Sequence, residues 1–475
     1  MSRNVSRSHW LTEVFNKGDQ PLVSSLSSDI RADVCVIGGG FTGLWSAINL
    51  KKMEPSLDII LIERDFCGSG ASGRNGGFLV SWWAKYLTLR KICGEEEALR
   101  LARASDNAIT EILDFCQVEE IDVQARRDGW LWAATNDAQI GAWQETLNEL
   151  EKIGENPFEE WSPDKVADRS GSAMHLAGVY DPSPASLQPA ELVLGMRQKA
   201  LDMGVLIFEE SPMSKIQFGL PAVVETEGGR VVADRIVLAI NAWGARFGEI
   251  RKSIAVVSGD IVITAQMEEQ LEKIGWSDGL GISDGRALVN YYRTTTDGRI
   301  VFGKGGMGGE FCYGGNIGLQ VEGSSKIAGL VAQSLRSTYP SLSDLEIVSS
   351  WRGPIDRSQS GLPFFWQLGP HGNVHYAVGF SGNGIGPSYL AGKILASLAL
   401  ERSDEWSTCP LVRSPSRDFP REPFRYFGSK LLRRALVDAD RAQDEDRPIP
   451  LFSRVMSRFA PAGVSPFKVN NSSND

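Results

Sequence analysis

Residues 33–43, DVCVIGGGFTG, decide the fold. Val34, Cys35, Val36 and Ile37 form an apolar run of the kind found in an inner parallel strand. Gly38, Gly40 and Gly43 follow as GxGxxG. The first glycine allows a tight turn, the second lets backbone approach a pyrophosphate, and the third lets helix and strand pack closely. A helix starting here offers free N–H groups and a positive dipole end to phosphates. Alone the pattern is weak, because a plain βαβ unit without ligand also satisfies it. A second apolar strand, Ile59-Ile60-Leu61-Ile62, ends in Glu63, 20 residues after Gly43. A dinucleotide fold needs an acceptor for the adenosine ribose hydroxyls at that point.

Composition narrows the class. At 475 residues the chain exceeds one typical core, so two or three domains are expected. Its 42% hydrophobic and 23% charged residues are ordinary for a globular protein. A net charge of −10 argues against a general nucleic-acid binder. Fifty glycines exceed the average share, and many sit in GSGASGRNGG, GKGGMGG and GFSGNGIG, which implies repeated close backbone approach to a ligand. The start, MSRNVSRSHWLTEVF, has no apolar signal region, and no segment nears the roughly 18 apolar residues of a membrane span. Cysteines 35, 67, 93, 116, 312 and 409 form no CxxC pair and show no metal spacing. The expectation is a cytoplasmic protein with no metal site.

Core-like stretches return three times along the chain. Residues 87–115 carry apolar residues at spacings of three and four, 127–134 read as a strand, and 138–154 as a helix. GVLIFEE and RVVADRIVLAINAW bring back buried-strand character, with Ile236 to Ile240 as the strand. Residues 250–310 alternate like an antiparallel sheet. VHYAVGFSGNGIGPSYLAGKILASLAL then reads as strand, glycine loop and helix. The interleaving predicts an α/β fold in which a Rossmann-like domain is assembled from discontinuous segments, 31–86, 181–248 and 351–404. An α+β domain with an antiparallel sheet, for substrate, is inserted as 87–180 and 249–350. Residues 1–30 form a lead-in arm, with Trp10 and Leu11 docking on the body. Residues 405–475 form an extension that wraps the surface, its end, NNSSND, disordered.

The glycine loop at 68–77 follows Glu63-Arg64 and runs straight into apolar FLVSWW, so it is anchored. Such a loop can line a flavin with backbone amides and small hydroxyls; the alternative is a flexible surface loop. GGGFTG, Glu63, GASGRNGG, LAINAW and GFSGNGIG, taken in this order, resemble the D-amino-acid oxidase (glycine/sarcosine oxidase) superfamily of FAD-dependent oxidoreductases. The tryptophan-bearing lead-in and the tail PREPFRYFGSKLLRRALVDADRAQDED resemble its γ-glutamylputrescine oxidase-like branch. The likeness spans nearly the whole chain. It is specific for fold and cofactor, and far less so for substrate.

The resemblance implies FAD held by named positions. Gly38, Gly40, Phe41, Thr42 and Gly43 would meet the pyrophosphate, and Glu63 with Arg64 the adenosine ribose. Ser72, Gly73, Asn75 and Gly77 would lie along the ribityl chain and flavin, and Met213 would meet the adenine. Ser381, Gly384, Ile385 and Gly386 would face the flavin pyrimidine edge, where a helix start stabilises negative charge. Relatives that attach FAD covalently use a His in the first glycine region or a Cys in the C-terminal half. Residues 68–82 contain no His and 340–390 no Cys, so FAD is expected to be non-covalent.

The family's chemistry is dehydrogenation of a C–N bond: hydride goes to flavin N5, and the imine formed hydrolyses to a carbonyl compound. The expected substrate is a small amine or amino acid. The acceptor is O2, giving H2O2, or alternatively a quinone or carrier; a flavin-binding assembly factor without turnover is the third possibility. Tyr292, Arg293 and Arg352 are candidates for holding a substrate carboxylate, each Arg being equally open to a structural role. Ser360 stands where many relatives have Asp, which weakens transfer of a contact there. Lys304 is a candidate cation near N5, or a solvated loop lysine. Trp82, Trp83 and Lys85 either cap the pocket or pack in the core.

Overall fold

The protein is described by a computed structural model covering residues 7–18, 23–305, 308–318, 324–342, 344–414 and 419–461. The stretch NNSSND, expected to be disordered, lies outside the described residues. Strand Ile30–Ile37 runs through the middle of an eight-stranded sheet. Its neighbours are Ile59–Ile62 on one side and Arg230–Leu238 on the other, both parallel. Outward lie Leu206–Phe208 beyond Ile59–Ile62, and Val374–Val378 then Phe364–Gln367 beyond Arg230–Leu238. Ile59–Ile62 is buried on both faces, as a parallel strand covered by helices must be.

Helix Phe41–Met53 returns the chain from the first glycine turn and crosses helix Ile385–Ala399 from the last core segment. Their approach is so close that a Cβ on Gly392 would lie 2.5 Å from the Trp45 Cβ. The lead-in forms helix His9–Lys17, capped by Ser8. Trp10 and Leu11 are buried, and the Trp10 indole N–H donates to the carbonyl of Asn75 (2.9 Å), so the arm docks on the second glycine loop.

The second sheet also has eight strands. In spatial order they are Ile347–Ser358, Ile254–Thr264, Ile300–Lys304, Asn290–Thr294, Gly281–Asp284, Trp130–Ala134, Ala177–Asp181 and Glu159–Trp161. It departs from the expected antiparallel sheet at one seam, where Gly281–Asp284 and Trp130–Ala134 pair in parallel. These strands come from the two separate inserted parts. No hairpin joins them, so nothing forces them to run in opposite directions.

Three features differ from expectation. Strand Ile347–Ser358 crosses the 350/351 division and pairs with Ile254–Thr264 as far as Ser358↔Ile254, so residues 351–358 stay in the second sheet. The helical stretch near 87–115 is two helices, Tyr86–Cys93 and Glu95–Val118, broken at Gly94 (φ +81°). The extension does more than wrap the surface. It forms helices Phe424–Asp444 and Leu451–Ser457, the first of which packs Leu432 and Leu436 against Val257, Leu288 and Phe311.

Candidate functional site

Strand Ile30–Ile37 delivers the chain to Gly38, which has φ +110°. A Cβ there would lie 2.4 Å from the Ala239 carbonyl oxygen, and one on Gly43 only 1.9 Å from that of Gly38. Both positions therefore demand glycine. Gly40 precedes the helix, whose first N–H groups are free of side-chain capping except Phe41 N–H, which donates to Ser72 Oγ (2.9 Å). Glu63 accepts from Gly39 N–H (2.7 Å) and Asp65 N–H (3.1 Å). Its burial raises the carboxyl pKa, and these backbone donors oppose the rise.

A cavity opens above this turn. Gly38, Gly40, Phe41, Thr42, Glu63, Arg64, Ser72 and Met213 all line it. Sequence reasoning missed Trp243 and Arg246. Arg64 lies over the Trp243 ring at 4.5 Å, and Arg246 donates to the carbonyls of Met213 (2.9 Å) and Ser214 (2.7 Å). Their signal was the strand ending in LAINAW, whose parallel neighbour is the first strand. Gly43, Gly73, Gly77 and Gly386 do not line a cavity; they shape the turns from behind. A Cβ on Gly73 would meet the Gly68 carbonyl oxygen at 2.4 Å, and one on Gly77 that of Leu187 at 2.1 Å.

A second cavity, a chamber of about 1690 Å³, adjoins the first and shares Phe41, Thr42, Ala71, Ser72, Asn241 and Phe380 with it. Asn75 lines it, its amide held by the carbonyls of Ala71 and Ser72 while its Oδ1 accepts from Gly77 N–H. Ser381 (φ +59°), Gly384 and Ile385 line it from the late glycine loop, at the start of helix Ile385–Ala399. The second sheet supplies the facing wall, with Gly259, Ile261, Tyr291 and Ile355 beside the polar Asp181, Ser283, Asp284, Asp356 and Arg357.

The four residues expected near substrate are placed elsewhere. Successive strand residues point to opposite faces. Tyr291 therefore lines the chamber, whereas Tyr292 is buried behind the sheet, stacked on Phe302 at 4.8 Å with its hydroxyl against His175. Arg293 clamps the backbone, donating to the carbonyls of Gly76 (2.7 Å), Leu187 (2.8 Å) and Thr294 (3.0 Å). Arg352 is fully buried and paired with Asp260 (2.8 Å). Lys304 ends a strand and donates to Asn290 Oδ1 (2.9 Å), beside Asp284 and Asp440 rather than in a glycine turn.

Lys85 does line the chamber, whereas Trp82 and Trp83 belong to the core. Its Nζ donates to the Gly361 carbonyl (2.7 Å). Burial, with the Arg357 charge beside it, brings its pKa down to about 7. Asp356, also at the wall, accepts from Gly379 N–H (2.6 Å), and burial pushes its carboxyl up to about 7. Among the described residues no His or Cys lines either cavity, no three acidic, His or Cys side chains group as metal ligands would, and all six thiols are free.

The parts fit an extended dinucleotide: a glycine cradle at a helix start, a carboxylate below it, and a roomy chamber adjoining it. The family described as DAO, FAD dependent oxidoreductase, matches residues 33–398. Gamma-glutamylputrescine oxidoreductase of Escherichia coli is 29% identical over 411 residues, covering 85% of this chain and 93% of the relative. The crystal structure of glycine oxidase from Geobacillus kaustophilus matches with TM-score 0.67 at 20% identity, over 80% of this chain and 98% of that one. Iminodiacetate oxidase from Chelativorans matches with TM-score 0.62 at 17% identity, over 78% and 96%. At such identities the two structures speak for the fold alone.

Proposed function

The chain belongs to the DAO family of FAD-dependent oxidoreductases, and from that premise we propose that it oxidises the C–N bond of an amine or amino acid. The observation that carries this reading is that the glycine cradle lies beside a large chamber, the two sharing Phe41, Thr42, Ala71, Ser72, Asn241 and Phe380 as lining. FAD supplies the hydride acceptor when bound. Gly38, Gly40 and the Phe41–Met53 helix start would hold the pyrophosphate, Glu63 the ribose, and Met213 with Trp243 the adenine end. Asn75 and the Ser381–Ile385 loop would hold the ring, where the helix start of Ile385–Ala399 would stabilise negative charge.

Gly259, Ile261, Tyr291 and Ile355 exclude water from the reacting carbon and press the substrate toward the ring. Lys85 Nζ, partly unprotonated near neutrality, takes the proton of the substrate ammonium and leaves the neutral amine that can react. The imine product hydrolyses to a carbonyl compound, and O2 serves as acceptor with H2O2 formed. FAD is held without a covalent bond, a reading supported by the absence of His and Cys from both cavity walls among the described residues. Six free thiols and a net charge of −10 favour a cytoplasmic enzyme without nucleic-acid partners. No helix among the described residues is long and apolar enough to cross a membrane.

The test is anaerobic reduction of the flavin by a panel of primary and secondary amines, followed by oxygen uptake. Bleaching of the visible flavin band by at least one amine is expected, with peroxide formed in proportion. A band untouched by every amine refutes the reading; bleaching without oxygen uptake replaces O2 by a carrier acceptor.

A further inference from the structure

The C-terminal extension, which lies beyond the family match, leaves two apolar helix faces uncovered. In Phe424–Asp444, the residues Phe424, Phe427 and Leu431 recur at spacings of three and four and so share one side of the helix. Phe424 is 75% and Phe427 63% exposed, whereas Leu432 and Leu436 pack into the body. In Leu451–Ser457 and the turn after it, Leu451, Phe452, Val455 and Phe459 share a face in the same way, Leu451 74% and Phe459 68% exposed. Met456 and Ala460 pack against the cluster that holds Leu432 and Leu436, so the two helices form one unit. Seven of the 17 large apolar side chains exposed among the described residues lie between Phe424 and Phe459. Such a concentration on a soluble surface marks a place where something else sits.

Charge says what that is. A cation follows each apolar row at i+3: Lys430 after Phe427, Arg434 after Leu431, Arg454 after Leu451 and Arg458 after Val455. Cations therefore border both faces. Within residues 421–434 and 451–459 seven Arg and Lys stand against one acid, Glu422, which is paired with Arg425 (2.7 Å). The acids of the first helix begin at Asp438, toward its other end. Arg421, Lys430, Arg434, Arg454 and Arg458 are exposed, and among the described residues none of the five pairs with a carboxylate. The chain as a whole carries −10, so this basic, apolar surface runs against its composition.

A second copy of the chain is a poor cover, because a two-fold interface would set the same cations against each other. Residues 462–475 hold one lysine, Lys468, and one acid, Asp475, and bring no surplus of negative charge. Neither helix is long and apolar enough to cross a membrane. Phe and Leu on one face with Arg and Lys at its border suit a helix lying in the plane of a lipid surface. We propose that these two helices seat the enzyme on an anionic bilayer, the apolar faces entering the headgroup boundary while the five cations meet lipid phosphates. Leu436 and Gln443 of the first helix and Ala460 beyond the second line the chamber, so a seated enzyme holds that wall beside the membrane.

Flotation of the full-length, flavin-loaded enzyme with vesicles tests this, since aggregated protein sinks while bound protein rises. Vesicles of equimolar phosphatidylglycerol and phosphatidylcholine should bind it at least about tenfold more tightly than phosphatidylcholine alone, and added salt should weaken the binding. The triple variant Lys430→Glu, Arg434→Glu and Arg454→Glu should bind the anionic vesicles at least about a hundredfold more weakly, at ~1 kcal/mol per cation and ~1.4 kcal/mol per factor of ten. The double variant Phe424→Ser and Phe459→Ser should lose at least about tenfold and keep the salt dependence. Flavin absorbance and the thermal unfolding midpoint of both variants should match the parent's, which separates lost seating from misfolding. No flotation with any vesicle, equal flotation with neutral ones, or binding untouched by both variants overturns the proposal. A dimer in sedimentation velocity that dissociates in the Phe424→Ser and Phe459→Ser variant, without lipid binding by the parent, overturns it too and gives the surface to a second copy.

Discussion

At Gly38 the backbone leaves no room for a side chain, because φ +110° and the Ala239 carbonyl 2.4 Å from a Cβ act together. Gly38→Ala should lower flavin retention at least about tenfold, since ~1.4 kcal/mol suffices for each factor of ten and strain of this kind costs on the order of 1–3 kcal/mol. The ratio of visible to ultraviolet absorbance of the purified protein measures it; a fully yellow variant would contradict the assignment of the cradle. Lys85 makes a prediction of opposite character. Its Nζ loses the proton as pH rises through about 7, and the neutral form is the one that accepts a proton from substrate. Flavin reduction should therefore rise with pH up to about 7 and then level off. Lys85→Met should erase that limb. A limb that persists in the variant belongs to another group. The glycines and Glu63 were legible in sequence because each does one geometric job at a fixed spacing. Arg246 was not, because the carbonyls of Met213 and Ser214 that it holds meet it only in the folded chain.

Among the elements, strand Asn290–Thr294 carries the clearest lesson. Its two adjacent tyrosines look interchangeable in sequence, yet pleating sends Tyr291 to the chamber and Tyr292 to the aromatic cluster around Trp276, Phe302 and Tyr339. Which face is which depends on register with Ile300–Lys304, and no local pattern reports that. Tyr292→Phe should cost about 1 kcal/mol of stability through the lost His175 hydrogen bond, with KM unchanged. Tyr291→Ala should instead change KM without comparable loss of stability. Thermal unfolding and steady-state kinetics on the pair separate the two faces, and equal effects on KM would refute the placement. The strand Ile347–Ser358 was misdivided for a related reason. Its residues continue one ladder with Ile254–Thr264, and a domain boundary cannot fall where a partner strand continues. The extension's helix was missed because its apolar stripe is short and partly exposed; only Val257, Leu288 and Phe311 show what it covers.

For the whole molecule, the order of core-like returns along the chain was enough to foresee a nucleotide domain in pieces with a second sheet between them. What sequence could not supply was the enclosure made where the two sheets face each other, since its walls come from every segment, the extension included. Acid denaturation should release FAD into the supernatant, checked by absorbance after filtration; flavin that stays with the polypeptide would refute non-covalent binding. The discontinuous sheet has one more consequence, for biosynthesis. The strand that opens the glycine turn is flanked by Arg230–Leu238, and the sheet is extended by Val374–Val378 and covered by a helix that ends at Ala399. A growing polypeptide on the ribosome therefore carries its first phosphate-binding turn long before the segments that close around it have been translated. Cofactor capture must wait until nearly all the sequence has emerged, and nascent chains arrested before the last of these segments should leave the ribosome colourless.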